Sequence, residues 1–224
     1  MIEQKKITAG IFAVYKPKGP TSHDIVDEVR HITGESRVGH AGTLDPLASG
    51  VLVIGVGREA TRKLQKIVGK EKEYIAKIRF GVESVTDDEE GEKTEFAVTE
   101  IPKRKHINQV LKKFVGAITQ VPPAYSAVKI GGRAAYKRAR AGQKTELKPR
   151  DVFVKKIVVM RYAWPFLEIR AVTGPGVYIR ALARDIGRAL EVGGYLAELE
   201  RVRVGEFRMQ NATALDFSAK TRIL

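Results

Sequence analysis

Residues Gly10 to Tyr15 are mainly apolar and stop at Lys16-Pro17-Lys18-Gly19-Pro20, which predicts a short strand closed by a turn. Thr21-Ser22 offers an N-cap, and Ile25, Val26, Val29 and Ile32 recur at helical spacing up to Gly34, a residue suited to end a helix. Ser36 to Gly50, rich in glycine and small residues, reads as an irregular loop. Val51 to Val56 is an unbroken apolar run of buried-strand length, and Ala60, Leu64, Ile67 and Val68 mark a short helix behind it.

Further along, Tyr74, Ala76, Ile78 and Phe80 alternate with Ile75, Lys77 and Arg79, the period of a half-buried strand. Glu83 to Glu95 carries seven acids against one lysine and reads as a solvated loop. Ile107, Val110, Leu111, Phe114 and Val115 form a helical stripe. Val152 to Val159 and Leu167 to Val172 read as strands, which a hairpin around Trp164-Pro165 would join. Tyr178 to Leu190 is the clearest late helix, with Ile179, Leu182, Ala183, Ile186 and Leu190 on its apolar side. Strands and helices mix without a regular βαβ rhythm, so the expected class is α+β with a mixed or largely antiparallel sheet. No repeat or low-complexity linker divides the chain, and one domain over residues 1–224 is the expectation.

Charge narrows the partner. Forty Lys and Arg against 26 Asp and Glu give a net charge of +14 over 224 residues, which fits a polyanion, either nucleic acid or an anionic membrane surface. There is no cysteine, which excludes disulfide frameworks, zinc ribbons, iron–sulfur clusters and a cysteine nucleophile. His23, His31, His40 and His106 show no metal-ligand spacing, so no metal is expected. Apolar runs such as Val51 to Val56 are too short to span a bilayer, and Met1 to Lys6 has no signal-peptide segment behind it, so the chain reads as cytosolic. Gly55-Val56-Gly57 completes neither a P-loop nor a dinucleotide fingerprint.

Three segments carry candidate chemistry. Lys129 to Arg150 holds eight Lys or Arg, one acid and three glycines; it is either a solvated basic face or an arm that grips phosphates with salt-dependent affinity. Gly39 to Gly50 places His40 and Asp45 in a Gly-rich loop just before a buried strand. Asp45 either starts a turn before Pro46 or is a catalytic side chain held by a rigid sheet. Arg180, Arg184 and Arg188 share one helix face behind Gly174-Pro175-Gly176. They form a solvated basic face, or pair with a carboxylate or phosphate. An arginine beside an aspartate keeps that carboxylate ionised, as a nucleophile or base requires.

Five runs in order carry a family resemblance: Lys16-Pro17-Lys18-Gly19-Pro20-Thr21-Ser22, Arg37 through Leu52, Lys72-Glu73-Tyr74, Pro122-Pro123-Ala124-Tyr125-Ser126-Ala127-Val128-Lys129, and Gly176-Val177-Tyr178-Ile179-Arg180. Together they resemble the bacterial tRNA pseudouridine-55 synthase family of TruB type, over about residues 11 to 205. The resemblance implies a pseudouridine synthase fold, with a central mixed, mainly antiparallel sheet flanked by helices and a thumb-like RNA-binding insertion at residues 122–150. It implies isomerisation of uridine to pseudouridine in the T arm of tRNA, with base flipping and without metal, organic cofactor or obligate protein partner. A related synthase for another RNA, or a non-catalytic RNA-binding or tRNA-folding protein on the same scaffold, is the alternative.

Residue by residue, the resemblance makes Asp45 the catalytic aspartate and Arg180 the arginine that pairs with it. Its role as attacker of the sugar, attacker of the base or remover of a sugar proton stays open. Tyr74 matches the tyrosine lying against the target base, Tyr178 a second pocket aromatic and Leu199 an apolar pocket residue. His40 matches the histidine that enters the space vacated by the extruded nucleotide, and Asp88 an aspartate that contacts the flipped-out RNA. Lys18 and Lys63 are candidates for phosphates, as are Lys129, Arg133, Lys137, Arg138 and Arg140 in the arm, with Tyr125 and Lys129 at its base. Many members carry a further C-terminal RNA-binding domain, often of PUA type. The strand-like Val202 to Phe207 lies close to Leu224, so a short form without that domain is expected.

Overall fold

The computed structural model describes residues 9–126, 128–130, 132–141, 143 and 147–215. The elements run β1 (Gly10–Lys16), α1 (Ser22–Thr33), β2 (Val38–His40), β3 (Ser49–Val56), α2 (Arg58–Val68), β4 (Lys72–Phe80), β5 (Val82–Ser84), β6 (Lys93–Glu95), α3 (Arg104–Lys112) and β7 (Gly116–Gln120). They continue with β8 (Lys129–Ile130), β9 (Arg133–Ala134), α4 (Ala135–Arg140), β10 (Arg150–Ala163), β11 (Phe166–Thr173), α5 (Ile179–Ala189), β12 (Gly194–Val204), β13 (Phe207–Arg208) and β14 (Thr213–Ala214). The chain divides into two compact units: one runs up to Tyr74 and resumes at Glu200, and the other is Ile75–Leu199.

The first unit is built around β3. Its strand order is β14-β1-β3-β12, with β2 on β3 and β13 on β12. β1 pairs antiparallel along β3 from Gly10↔Val56 to Lys16↔Gly50. On the opposite edge β2 covers the C-terminal half, and β12 meets the start of β3 in parallel at Glu200↔Ser49 and Arg201↔Gly50. All eight residues of β3 are buried, because both of its faces are covered. Leu52, Ile54 and Val56 pack with Ile25, Val26 and Val29 of α1, while Val51 and Val53 pack with Leu64 of α2. A strand covered on both sides reads as a continuous apolar run, which is what the sequence shows.

Helix α1 begins as the sequence predicts. Thr21 caps it in a reciprocal pair with Asp24, and Gly34 closes it at φ 67°, a left-handed conformation that favours glycine. The stretch before β3 differs from the irregular loop expected over Ser36 to Gly50. Val38–His40 forms β2, because Val38 is buried in the α1 core and its backbone finds a partner in β3. No alternating pattern announces a three-residue strand.

The second unit follows the order β12-β4-β11-β10-β7. Strands β10 and β11 form the hairpin around Trp164-Pro165, whose peptide bond is cis. Helix α3 packs against β10 and α5, and both helices turn buried faces inward, Ile107, Val110 and Leu111 from one and Leu182 and Ile186 from the other. The pairs β1–β14 and β3–β12 are parallel, whereas β1–β3, β2–β3, β10–β11 and β7–β10 are antiparallel. The strands thus form a mixed, mainly antiparallel sheet, and the class is α+β. Within the basic stretch, where the pattern predicts no element, β8 and β9 pair as a short hairpin that leads into α4.

Glu83 to Glu95 is corrected most. It is not a solvated loop but a hairpin, β5 with β6, whose turn side carries Asp87 and Asp88, both buried.

Candidate active site

In the first unit, Asp45 lies on the segment that joins β2 to β3 and is half-buried. Its carbonyl accepts the Ala48 N–H at 3.0 Å, so the turn before Pro46 is real and coexists with any chemistry of the side chain. The neighbouring backbone is bonded to other elements. Ala41 N–H donates to Val53 C=O at 2.8 Å, and Gly19 N–H donates to Pro46 C=O at 2.9 Å. Lys16 is fully buried, its Nζ donating to Pro17 C=O and Pro20 C=O at 2.8 Å each. Gly50, where the segment enters β3, sits at φ 115°, and a Cβ there would stand 2.3 Å from Arg201 O. Only glycine fits so close an approach.

Arg201 is a residue that sequence reasoning missed. It is 1% exposed, and its guanidinium donates to Val51 C=O at 2.8 Å and to Thr43 and Gly42 C=O at 3.1 Å each. Its charge is felt nearby. Burial first, then Arg201, lowers the His40 imidazole below its ordinary range, so this ring is neutral at pH 7. Burial, with Arg201, also brings Lys72 down to about 8; its Nζ donates to Lys70 C=O at 2.9 Å. A neutral ring suits stacking within a base stack, since less hydration is lost on entry. Tyr74, on β4, is 7% exposed. Lys18 and Lys63 are exposed.

The second unit holds the arginine face of α5, and its partners are carboxylates. Arg180 Nη1 is 3.2 Å from Asp88 Oδ2, Arg184 Nη1 is 2.8 Å from Asp87 Oδ2, and Arg188 Nε is 3.3 Å from Glu83 Oε1. Three arginines one turn apart thus meet three acids of the β5–β6 hairpin. Arg180 also donates to Tyr125 C=O at 2.9 Å and Thr86 C=O at 3.3 Å, so it ties the start of the 122–150 stretch to the hairpin. Asp88 is 2% exposed and accepts from Thr86 Oγ1, from Glu90 N–H and from Arg180. Its oxygens thus bond to the hairpin itself and to Arg180.

Asp87 takes φ 62°, a conformation that Asp tolerates better than most residues. Burial pushes its carboxyl up to about 6, against the pull of Arg184, Arg180 and Arg188. A carboxyl raised on folding binds its proton more tightly in the native state than in the unfolded one. Its stabilising contribution is thus full below its ordinary value of 3.8 and is lost as pH rises through about 6. Asp87→Asn is expected to remove this slope, so that Tm between about pH 4 and 6 varies less than in wild type; differential scanning fluorimetry across that range checks it.

Tyr178 directly precedes α5. Gln120, 1% exposed, grips its backbone at two points, donating from Nε2 to Tyr178 C=O at 3.1 Å and accepting the Tyr178 N–H at 2.9 Å. The Arg150 guanidinium lies 4.8 Å from the Tyr178 ring centroid and donates to Gly176 C=O at 2.6 Å. The end of the basic stretch thus rests on the Tyr178 ring. Leu199 is 6% exposed at the end of this unit. Arg138 is half-buried on α4; the side chains of Lys129, Arg133, Lys137 and Arg140 lie outside what is described.

Among the described residues no group of three His, Asp or Glu is placed to hold a metal ion, and no helix is long and apolar enough to cross a membrane. Gln120 and Arg201 went unread, and Lys16 and Ser22 were read only as the ends of the first run, because each acts on backbone, for which a sequence carries no motif. The signal available for Arg201 was position, since it follows Leu199 by two residues.

Comparison with known proteins bears on the whole arrangement. Residues 30–179 match the family model described as TruB family pseudouridylate synthase, N-terminal domain. The chain is 46% identical over 215 residues to the tRNA pseudouridine synthase B of Thermobifida fusca, covering 92% of this chain and 73% of that one. It is 43% identical over 221 residues to the synthase of the same name from Cutibacterium acnes, covering 97% and 74%. Among solved structures it resembles a chain from a Cbf5-Nop10-Gar1 complex, with a TM-score of 0.73 and 33% identity over 94% of this chain and 53% of that one. The chain spans about half the length of that solved chain. The fold is that of the pseudouridine synthases, and with the matched model spanning the Asp45 segment, the Asp87-Asp88 hairpin and Tyr178, the chain belongs to the TruB family of pseudouridylate synthases.

Proposed function

We propose that this protein isomerises uridine to pseudouridine in tRNA, at position 55 of the T arm, acting in the cytoplasm without metal or organic cofactor. The observation that carries the reading is the family match across the Asp45 segment, joined to identities of 43% to 46% with proteins named tRNA pseudouridine synthase B. The relatives at 43% to 46% identity are named for tRNA, which favours a tRNA substrate over another RNA.

The reaction breaks the bond from C1′ to N1 of uracil and forms one from C1′ to C5. The C5 hydrogen is lost to solvent and N1 gains a proton, so the nucleoside keeps its composition. A carboxylate can serve such a reaction as nucleophile or base, and Asp45 takes that part. Tyr74 lies against the base, where its ring stacks on uracil and its hydroxyl can exchange a proton. Arg180, Tyr178 and Leu199 are the further pocket residues in this reading. His40, neutral at pH 7 by burial and the nearby Arg201, enters the stack when the uridine is extruded. Extrusion costs about a few kcal/mol, which binding to the rest of the T arm offsets. Asp88 serves Arg180 in this reading, in keeping with its 3.2 Å pairing. The test is release of tritium from C5-labelled uridine in an unmodified tRNA transcript. Release that disappears when the T-arm target uridine is replaced supports the assignment; release that persists points to another site.

The 122–150 stretch supplies cations for the phosphates. Replacing Lys129, Arg133, Lys137, Arg138 and Arg140 together with glutamine is expected to weaken tRNA binding and to flatten its salt dependence. The log–log slope should fall by about 0.7 to 0.9 for each phosphate that is no longer neutralised. Filter binding between about 50 and 200 mM salt reads this, and an unchanged slope makes the stretch an ordinary surface.

A further inference from the structure

The Asp45 segment is tied down through its backbone, and one hydroxyl does most for the residue just before the carboxylate. We propose that Ser22 is a positioning residue for Asp45, an inference that rests on Asp45 being the catalytic carboxylate. Ser22 is the first residue of α1 and is 3% exposed. Its Oγ accepts the Leu44 N–H at 2.8 Å and donates to the Leu44 C=O at 2.9 Å. A single side chain thereby occupies both backbone groups of Leu44, as a neighbouring strand would, at a place where the sheet provides no strand. Leu44 is itself 3% exposed, so removing this hydroxyl takes a hydrogen bond from each of two buried polar groups, and a buried group left unsatisfied is destabilising.

The next tie lies on the other side of Asp45. Pro46 has no N–H, so its carbonyl is its one backbone handle, and that carbonyl accepts from Gly19 at 2.9 Å. Leu44 and Pro46 are thus both held by the chain that leads into α1. The ends of the segment are held independently, since Arg201 bonds Gly42, Thr43 and Val51. The base of this clamp is rigid: Thr21 and Asp24 lock the first turn of α1 by a capping box, and Ile25, Val26 and Val29 seat the helix on β3. The geometry restrains the backbone on both sides of Asp45 and so limits where its carboxylate can reach. Displacement of a reacting group by about 1 Å costs roughly a hundredfold in rate, which makes a two-bond tie at the adjacent residue a determinant of rate rather than of RNA affinity.

Ser22→Ala removes both bonds and leaves the Thr21–Asp24 cap in place. Its single-turnover rate of pseudouridine formation at saturating tRNA is expected to fall about tenfold to a hundredfold, with the Kd for tRNA unchanged. A serine that only supports the fold would lower Tm and leave the rate per folded molecule at the wild-type value; that result, or a loss confined to tRNA affinity, overturns the proposal. Should Ser22→Ala not fold, Ser22→Cys keeps the size of the side chain but bonds Leu44 only weakly. It is expected to lose rate in the same sense at unchanged Kd, and wild-type turnover there overturns the proposal. Asp45→Asn in the same assay separates the two ideas. Turnover by that variant defeats the reading of Asp45 itself, whereas an inactive Asp45→Asn beside a fully active Ser22→Ala defeats the positioning role alone.

Discussion

Asp45→Asn is expected to lose tritium release from C5-labelled tRNA by at least about a hundredfold to ten-thousandfold if the carboxylate acts as a base, and by more if it is a nucleophile. Binding of the same tRNA should stay close to wild type. The substitution is nearly isosteric, and asparagine starts turns as well as aspartate does. The backbone bond from Ala48 to residue 45 and the ties at Leu44 and Pro46 do not involve the side chain. Those bonds remain in the variant, and the side chain loses its ability to attack or to take a proton. A non-catalytic RNA-binding protein on this scaffold would show no release in either form, so the wild-type measurement decides between enzyme and scaffold. The comparison then assigns the residue. Retained release in the variant would sink the assignment of Asp45 while leaving the enzyme reading intact.

Arg180→Met should be costly in two separable ways. Arg180 is 5% exposed and Asp88 is 2% exposed, so truncating the cation leaves a carboxylate in the interior without its guanidinium partner. Breaking a buried pair from one side costs about 3–5 kcal/mol. The carbonyls of Tyr125 and Thr86 lose their donor as well. Urea denaturation should show a lower midpoint with an unchanged slope, the signature of lost stability rather than of a changed unfolded state. The double variant Arg180→Met/Asp88→Leu removes both charges and should recover much of that loss, since a buried pair is often matched by apolar residues of similar size. It should not recover tritium release. Stability without activity in the double variant would show that Arg180 serves the reaction beyond holding the β5–β6 hairpin. Recovery of both would reduce Arg180 to a structural role.

The ion-pair face of α5 also shows where the sequence stops being legible. Its spacing at 180, 184 and 188 was plain, and so was its choice between solvent and an anion. What settled the matter was a segment about a hundred residues earlier. Asp87 and Asp88 bond arginines 97 and 92 positions away, and a window over Glu83 to Glu95 sees seven acids against one lysine. Counted locally, such a run belongs in water; in the fold, its central pair belongs to α5.

Local patterns determined the longer elements of the frame. The apolar run of β3, the capping box and closing glycine of α1, the alternation along β4 and the stripe of α5 follow from periodicity and backbone preference, which act over a few residues and are written in order. The motifs around Asp45, Tyr74 and Arg180 were equally readable as strings. Tertiary structure alone decided which polar side chains became internal fasteners. Ser22 reads as one half of an N-cap offer, and no local pattern marks Gln120 or Arg201. Each is buried because it found backbone groups 22, 58 and 150 or more positions away. Burying a polar group is favourable only when its partners arrive with it, and those partners are brought together by the packing of distant segments, a relation that no local window of sequence contains.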